Sequence, residues 1–141
     1  MKKLLFLPTL LFLLCNCSAK KQTSVIEYDY SDVSDLTICW DEVLSISKND
    51  YFVYIYSSTC GHCNEIKQEV ISFALRNYGD LYFVNFNKGI PIINDRNEPL
   101  EKDSVGNLGI VGTPSMFRII EHVVKENYVG KKEIVETLTN S

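Results

Sequence analysis

The chain has 141 residues and a formal charge of −4, with 45% hydrophobic and 11% aromatic residues. The apolar content argues against intrinsic disorder, and the acidic balance argues against a nucleic-acid-binding domain because phosphates require a basic face. Five cysteines are too few for a small domain built from disulfides, so their positions carry more information than their number.

The first 16 residues differ in composition from the rest of the chain. Lys2 and Lys3 precede an apolar run over residues 4–14, and no acidic residue occurs among the first 16. A run of this length is too short to span a membrane, but it has the length and the flanks of a secretory signal. Without these 16 residues the chain carries 12 Lys and Arg against 18 Asp and Glu, a charge of −6.

The end of the apolar run resembles the lipobox of bacterial lipoproteins, in which a Leu lies three places before the Cys that is lipidated. Leu14 and Cys17 have this spacing, which predicts a signal peptide over residues 1–16 and a lipid anchor on Cys17. Asn16 departs from the small residue that usually precedes the Cys, and an ordinary cleaved signal or an uncleaved anchor is the alternative. The lipobox implies an extracytoplasmic protein that its lipid anchors to a bacterial membrane.

Polar residues follow the signal before regular apolar patterns begin. Residues 17–34 predict a tether, in which residues 25–30 have the pattern of a short edge strand. The folded domain is expected over residues 35–141. Its first element is a predicted helix over residues 35–47, where apolar residues recur at three- and four-residue steps. Residues 51–56 then predict a strand that is buried on both faces.

The middle of the chain has the pattern of a βαβ unit. An amphipathic helix is predicted over residues 64–77 and a second buried strand over residues 81–86, so the two strands should be parallel. Residues 87–104 are rich in Gly, Pro and Asn and predict a loop or a short irregular helix. The remaining predicted elements are a third strand, a fourth strand antiparallel to it and a terminal helix, over residues 115–120, 123–129 and 131–139.

A Cys-x-x-Cys motif, Cys60-Gly61-His62-Cys63, follows the first buried strand and begins the amphipathic helix. The unpaired N–H groups at the start of a helix favour an anion, and a thiolate is the nucleophile of disulfide exchange. The two-residue spacing lets the second sulfur reach the first within one helical turn. The motif therefore predicts that Cys60 attacks a substrate disulfide and that Cys63 resolves the mixed disulfide.

With these features, the sequence resembles the thioredoxin superfamily over residues 25–141. The resemblance is carried by the Cys60–Cys63 motif and its helix, by the two buried strands, and by Thr113-Pro114 before a hairpin and a last helix. It implies an α/β, thioredoxin-like fold with a central mixed sheet flanked by helices. It also implies that Pro114 is cis and packs across from the dithiol, and that Thr113 offers backbone groups to an extended substrate.

The resemblance further implies a thiol–disulfide oxidoreductase that uses no cofactor beyond the redox-active Cys60–Cys63 disulfide. Its partners would be protein dithiols or disulfides and a protein that recharges the dithiol, and the direction of electron flow stays open. His62 belongs to the dipeptide that is typical of protein disulfide isomerases, and it is expected to stabilise the Cys60 thiolate.

Two residues depart from the family pattern. Thr59 stands where members often have Trp, and Tyr54 stands where many have a buried acid that relays a proton to the resolving thiol. A phenol with a pKa of about 10 is a poorer relay, which leaves the proton path to Cys63 open. The remaining thiol, Cys39, is predicted to be a small buried residue, with a third redox thiol as the alternative.

Two other functions are compatible with the sequence. Cys60, His62 and Cys63 could belong to a metal-binding module, although structural zinc usually takes four ligands and the sequence has no second Cys-x-x-Cys. A thioredoxin-like domain could also serve mainly to dock a partner in secretion or assembly.

Overall fold

A computed structural model describes residues 25–86 and 89–141 of the chain. The signal peptide predicted over residues 1–16 and the lipid anchor predicted on Cys17 lie outside these residues. Within the described part of the chain, no helix has both the length and the apolar character that crossing a membrane requires.

Four strands form one mixed sheet, in the order β2-β1-β3-β4. The strands β1, β2, β3 and β4 span Asp50–Tyr56, Leu81–Asn85, Ser115–Ile120 and Val123–Val129. The β1–β2 pair is parallel, and the β1–β3 and β3–β4 pairs are antiparallel. The predicted βαβ unit and the predicted hairpin are therefore confirmed, and the aromatic and β-branched strand β1 lies in the middle of the sheet.

Among the described residues, three α-helices flank the sheet: α1 (Gly61–Glu65), α2 (Lys67–Arg76) and α3 (Lys131–Thr139). The helix predicted over residues 64–77 is divided in two, because Ile66 leaves helical geometry with φ −107° and ψ 7°. The Ile66 side chain is buried. The terminal helix is confirmed.

The sheet separates two apolar clusters. On one face, Val70 of α2 and Ile134 of α3 join a cluster that includes Phe83 of β2. The other face is covered by Leu108 and Ile110 from the segment before β3, together with residues from the segment before β1. Each large apolar side chain that is fully buried contributes about 1.5–3 kcal/mol relative to exposure, so both clusters stabilise the sheet.

The edge strand predicted over residues 25–30 is wrong. A 3₁₀ helix spans Tyr30–Leu36, and a reciprocal capping box begins it. The Tyr30 N–H donates to the Asp29 carboxylate at 2.9 Å, and the Asp29 N–H donates to the Asp32 carboxylate at 2.7 Å. Short acidic side chains thus satisfy backbone N–H groups that a strand would have paired with its neighbour.

The single helix predicted over residues 35–47 is also wrong. The chain leaves helical geometry at Thr37, which forms a parallel bridge with Phe83, and the Ile38 N–H donates to the Phe83 carbonyl at 2.9 Å. A second 3₁₀ turn, Trp40–Glu42, follows. Since Thr and Ile favour extended backbone, pairing with the outer edge of β2 prevails over the helical periodicity.

The segment before the predicted domain packs on the sheet and the helices. The Tyr28 backbone exchanges two hydrogen bonds with the Gln68 side-chain amide of α2, each 2.8 Å long. The Tyr30 ring stacks on Tyr56 at a centroid distance of 3.7 Å. Val33 is buried in the same cluster. The chain is therefore part of the folded unit from Tyr28 onward.

Candidate active site

Cys60 and Cys63 form a disulfide at the junction of β1 and α1. A turn in which the Cys60 N–H donates to the Ser57 carbonyl at 3.1 Å carries the chain out of the strand. Cys60 is the N-cap residue of α1 and has extended backbone geometry. Its sulfur accepts a hydrogen bond from the Cys63 N–H at 3.2 Å. A sulfur in the N-cap position replaces the oxygen that usually caps a helix, and it receives the same N–H.

The two sulfur-bearing residues differ in their access to solvent. Cys63 is fully buried in the cluster beneath α2, whereas Cys60 is only partly buried. A substrate can reach Cys60 but not Cys63 in this arrangement. This difference supports the predicted order, in which Cys60 attacks and Cys63 resolves.

The turn before β3 lies beside the dithiol. The Thr113–Pro114 peptide bond is cis, and the Thr113 carbonyl oxygen lies 3.4 Å from the Cys60 sulfur. Pro114 is buried, and its carbonyl accepts the Gly130 N–H at 2.9 Å. The structure thus brings both residues to the site, and their role in substrate binding stays a prediction.

His62 lies on the exposed side of α1. Its Nδ1 is 3.4 Å from the Glu65 carboxylate, which also pairs with Lys131 of α3. The hydrogen bond from Lys131 holds the pKa of Glu65 below its usual range, so the carboxylate stays charged beside the imidazole. Sequence reasoning missed Glu65, although its three-residue spacing from His62 places both residues on one helix surface. Stabilisation of the thiolate by His62 stays a prediction.

Tyr54 occupies the interior beneath the dithiol. Its phenol oxygen is buried, as is that of Tyr30. Neither oxygen has a partner within 3.5 Å among the described residues, although the two phenols lie close enough for each to affect the pKa of the other. Burial raises the pKa of Tyr54 well above its ordinary value, so the phenol stays neutral. Apart from the tyrosine hydroxyls and the Cys63 sulfur, Ser115 is the one polar side chain in the buried set of the described residues, and that set contains no carboxylate. Because Tyr54 stands where many members of the family have a buried acid, the interior beneath the dithiol has no carboxylate among the described residues that could accept a proton.

Replacing Tyr54 by Phe should stabilise the protein by about 1 kcal/mol, because it removes a buried hydroxyl that lacks a partner. The matched control is Tyr51→Phe. The Tyr51 hydroxyl donates to the Val43 carbonyl at 2.9 Å, so its loss should destabilise by about 1 kcal/mol. Urea unfolding measures both changes. A Tyr54→Phe protein that is less stable, or that exchanges disulfides more slowly, would show that the phenol has a partner or transfers a proton.

Cys39 is exposed, so the prediction that it is buried is wrong. It precedes the 3₁₀ turn Trp40–Glu42, and its N–H donates to the Glu42 carboxylate at 2.7 Å. The N-cap position of a surface turn lies outside the apolar face, which explains the exposure. Trp40, by contrast, packs on Phe117 at a ring-centroid distance of 6.3 Å.

No family model and no curated protein matches the sequence. Among solved structures, the chain is similar to thioredoxin f2 of Chlamydomonas reinhardtii, with 19% identity over 74% of this chain and 93% of that chain, and a TM-score of 0.47. Mitochondrial thioredoxin 3 of Saccharomyces cerevisiae, in its oxidized form, has 12% identity over 74% of this chain and 93% of that chain, and its TM-score is 0.48. The short form of thioredoxin f from spinach chloroplast has 19% identity over 73% of this chain and 91% of that chain, and its TM-score is 0.46.

The fold class rests on the geometry of the chain itself. A four-stranded mixed sheet has helices beside it, and a Cys60–Cys63 disulfide stands where the central strand meets its helix. The cis Thr113–Pro114 bond lies across from that disulfide. The chain has an α/β thioredoxin-like fold, as the sequence predicts.

Proposed function

We propose that the protein is a thiol–disulfide oxidoreductase that exchanges disulfides with protein substrates through Cys60 and Cys63. One observation carries the proposal: a paired, accessible Cys60 caps a helix beside the cis Thr113–Pro114 turn, and a buried Cys63 lies directly behind it. The site needs no cofactor for this chemistry, since the two sulfurs themselves carry the electrons.

The chemistry in the reducing direction takes two steps. The Cys60 thiolate attacks one sulfur of a substrate disulfide, so a Cys60–substrate bond forms and the other substrate sulfur leaves as a thiolate. The Cys63 thiolate then attacks the Cys60 sulfur, the Cys60–Cys63 disulfide forms, and the second substrate sulfur leaves. Two electrons pass to the substrate, and its two thiolates take up the two protons that the dithiol lost. Oxidation of a substrate dithiol is the reverse sequence.

The surroundings of Cys60 support a peptide substrate. The Thr113 carbonyl, 3.4 Å from the Cys60 sulfur, is a backbone acceptor at the point where the substrate disulfide must lie. An extended chain that donates an N–H to this carbonyl would have its own sulfur held beside Cys60. A protein that recharges the dithiol would use the same surface, because Cys60 is the accessible sulfur of the pair.

The test is the reduction of insulin disulfides by the purified protein with dithiothreitol as the reductant. Cys60→Ser should abolish the activity, because Cys63, the remaining thiol of the pair, is buried. Cys39→Ser is the matched control: it removes an exposed thiol that the mechanism does not use, and it should keep the wild-type rate. Retained activity in Cys60→Ser would overturn the mechanism. Unreactive thiols with one tightly held metal ion per chain would favour the metal-binding alternative instead.

We further propose that the protein is a lipoprotein that Cys17 anchors to the outer face of a bacterial membrane. The spacing of Leu14 and Cys17 after the apolar run supports this location. Cys17→Ala should move the expressed protein from the membrane fraction to the soluble fraction and abolish labelling with a tagged fatty acid. Cys15→Ala, two residues away, should leave both unchanged. A Cys17→Ala protein that stays in the membrane and still takes up the label would contradict the anchor.

A further inference from the structure

The turn over residues 112–114 is fixed at both ends. At its beginning, the Ser115 hydroxyl donates to the Gly112 carbonyl at 2.6 Å. At its end, the Gly130 N–H donates to the Pro114 carbonyl at 2.9 Å. Between these two points lies the Thr113 carbonyl, 3.4 Å from the Cys60 sulfur. The direction of the Thr113 carbonyl therefore depends on how firmly the peptide groups on either side are held.

Ser115 is an unusual residue in this core. It is 0% exposed, and among the described residues it is the one buried polar side chain that is neither a tyrosine nor a cysteine. It begins β3 and pairs with Ile55 of β1 and with Val129 of β4, so its backbone is held in the middle of the sheet. A buried hydroxyl costs free energy unless it is hydrogen-bonded, and here its acceptor belongs to the turn beside the dithiol.

The residue that Ser115 holds has the most backbone freedom in the turn. Gly112 lacks a side chain, and a Cβ built on it would meet no heavy atom within 4 Å. The dihedral angles of Gly112 therefore lack the steric restriction that a side chain would impose. The hydrogen bond from the rigid strand supplies that restriction.

We propose that Ser115 is a positioning residue for substrate binding: its hydroxyl fixes the Gly112–Thr113 peptide so that the Thr113 carbonyl faces an extended substrate beside Cys60. This inference rests on the proposed oxidoreductase function. Ser115 does not touch the reacting sulfurs, so its removal should weaken the binding of peptide substrates and leave the intrinsic reactivity of the dithiol unchanged.

The experiment compares two disulfide substrates with wild-type protein, Ser115→Ala and Ser115→Thr. Insulin presents a peptide backbone, whereas dithiodipyridine presents a disulfide without one. Ser115→Ala should raise the KM for insulin about fivefold to tenfold and change kcat little. This fold-change corresponds to the net free energy that one hydrogen bond contributes. Its reduced form should react with dithiodipyridine at the wild-type rate. Ser115→Thr keeps the hydroxyl and should keep the wild-type KM.

Ser45→Ala is the matched control. The Ser45 hydroxyl also donates to the carbonyl three residues before it, that of Glu42, at 3.0 Å, but it is exposed and lies in a different turn. Its removal should leave both assays unchanged. A wild-type KM in Ser115→Ala, an equal loss with both substrates, or a raised KM in Ser115→Thr would overturn the inference. Wild-type protein that fails to reduce insulin would instead overturn the proposed function.

Discussion

Cys63→Ser should convert the protein from a catalyst into a covalent trap. Cys60 can still attack a substrate disulfide, but the mixed disulfide has no neighbouring thiol to resolve it, because the Ser hydroxyl is not a thiolate nucleophile. Turnover in the insulin assay should fall to the background rate. A disulfide-linked complex of the protein with its substrate should accumulate, and non-reducing electrophoresis followed by mass spectrometry detects it.

The trap requires a background that removes the exposed Cys39, since that thiol could form adducts of its own. Cys39→Ser combined with Cys63→Ser should trap substrates, and Cys39→Ser combined with Cys60→Ser should trap none, because Cys63 is buried. Equal trapping by both double variants would contradict the different roles of the two sulfurs. The same experiment, made in intact cells, would identify the protein substrates and the recharging partner.

Phe83→Ala should destabilise the protein by about 3–5 kcal/mol, the usual cost of truncating a buried Phe. Phe83 is 0% exposed at the centre of β2, and its ring lies 5.9 Å from Tyr54, 6.4 Å from Tyr56 and 6.2 Å from Tyr30. The truncation leaves a cavity that three aromatic rings line, and their edge-to-face contacts with Phe83 are lost. Urea unfolding measures the change.

Tyr78→Ala is the control for this truncation. Tyr78 is also aromatic but 67% exposed, so its removal should change stability by no more than about 0.5 kcal/mol. A loss of less than about 1 kcal/mol in Phe83→Ala would mean that the aromatic cluster rearranges to fill the cavity. Since small domains are stable by about 5–15 kcal/mol, the expected loss is a large part of the total.

The elements that the sequence predicts correctly are those whose local pattern and tertiary environment agree. Residues 51–56 and 81–86 are apolar on both faces, so only the interior of a sheet suits them, and the amphipathic helix between them requires a parallel connection. The same agreement holds for the hairpin and the terminal helix. Cys60 and Cys63 could be placed at a strand–helix junction for this reason, before any contact was known.

The N-terminal part was predicted wrongly because its pattern is ambiguous. Leu36, Val43 and Leu44 are all buried, as a helix over residues 35–47 would require. Leu36, however, ends the first 3₁₀ helix, and Val43 and Leu44 lie in the turn after Trp40–Glu42, with an extended link between the two. The free edge of β2 offers backbone partners to Thr37 and Ile38. The spacing of apolar residues along the chain cannot indicate this contact, because β2 is distant in sequence. The exposure of Cys39 follows from the same rearrangement.

Two parts of the candidate site depended on tertiary structure. Glu65 joins His62 to Lys131, a residue that is remote in sequence. Ser115 donates a hydrogen bond to a turn that lies beside Cys60, although more than fifty residues of chain separate that turn from Cys60. The Glu65–Lys131 pair and the approach of Thr113 to Cys60 are long-range contacts, and a single sequence carries no local signal for either.

By itself, the sequence determined the strands and the helix around the Cys60–Cys63 pair, because short patterns of apolar residues and cysteines indicate them, and its resemblance to a known family indicated the class of fold. The lipid anchor on Cys17 stays a prediction. Only the tertiary structure decided which sulfur a substrate can reach, how the turn at Thr113 is held, and that Tyr54 leaves the interior without an acid. These properties depend on burial and on contacts between distant segments, and both exist only once the chain has folded.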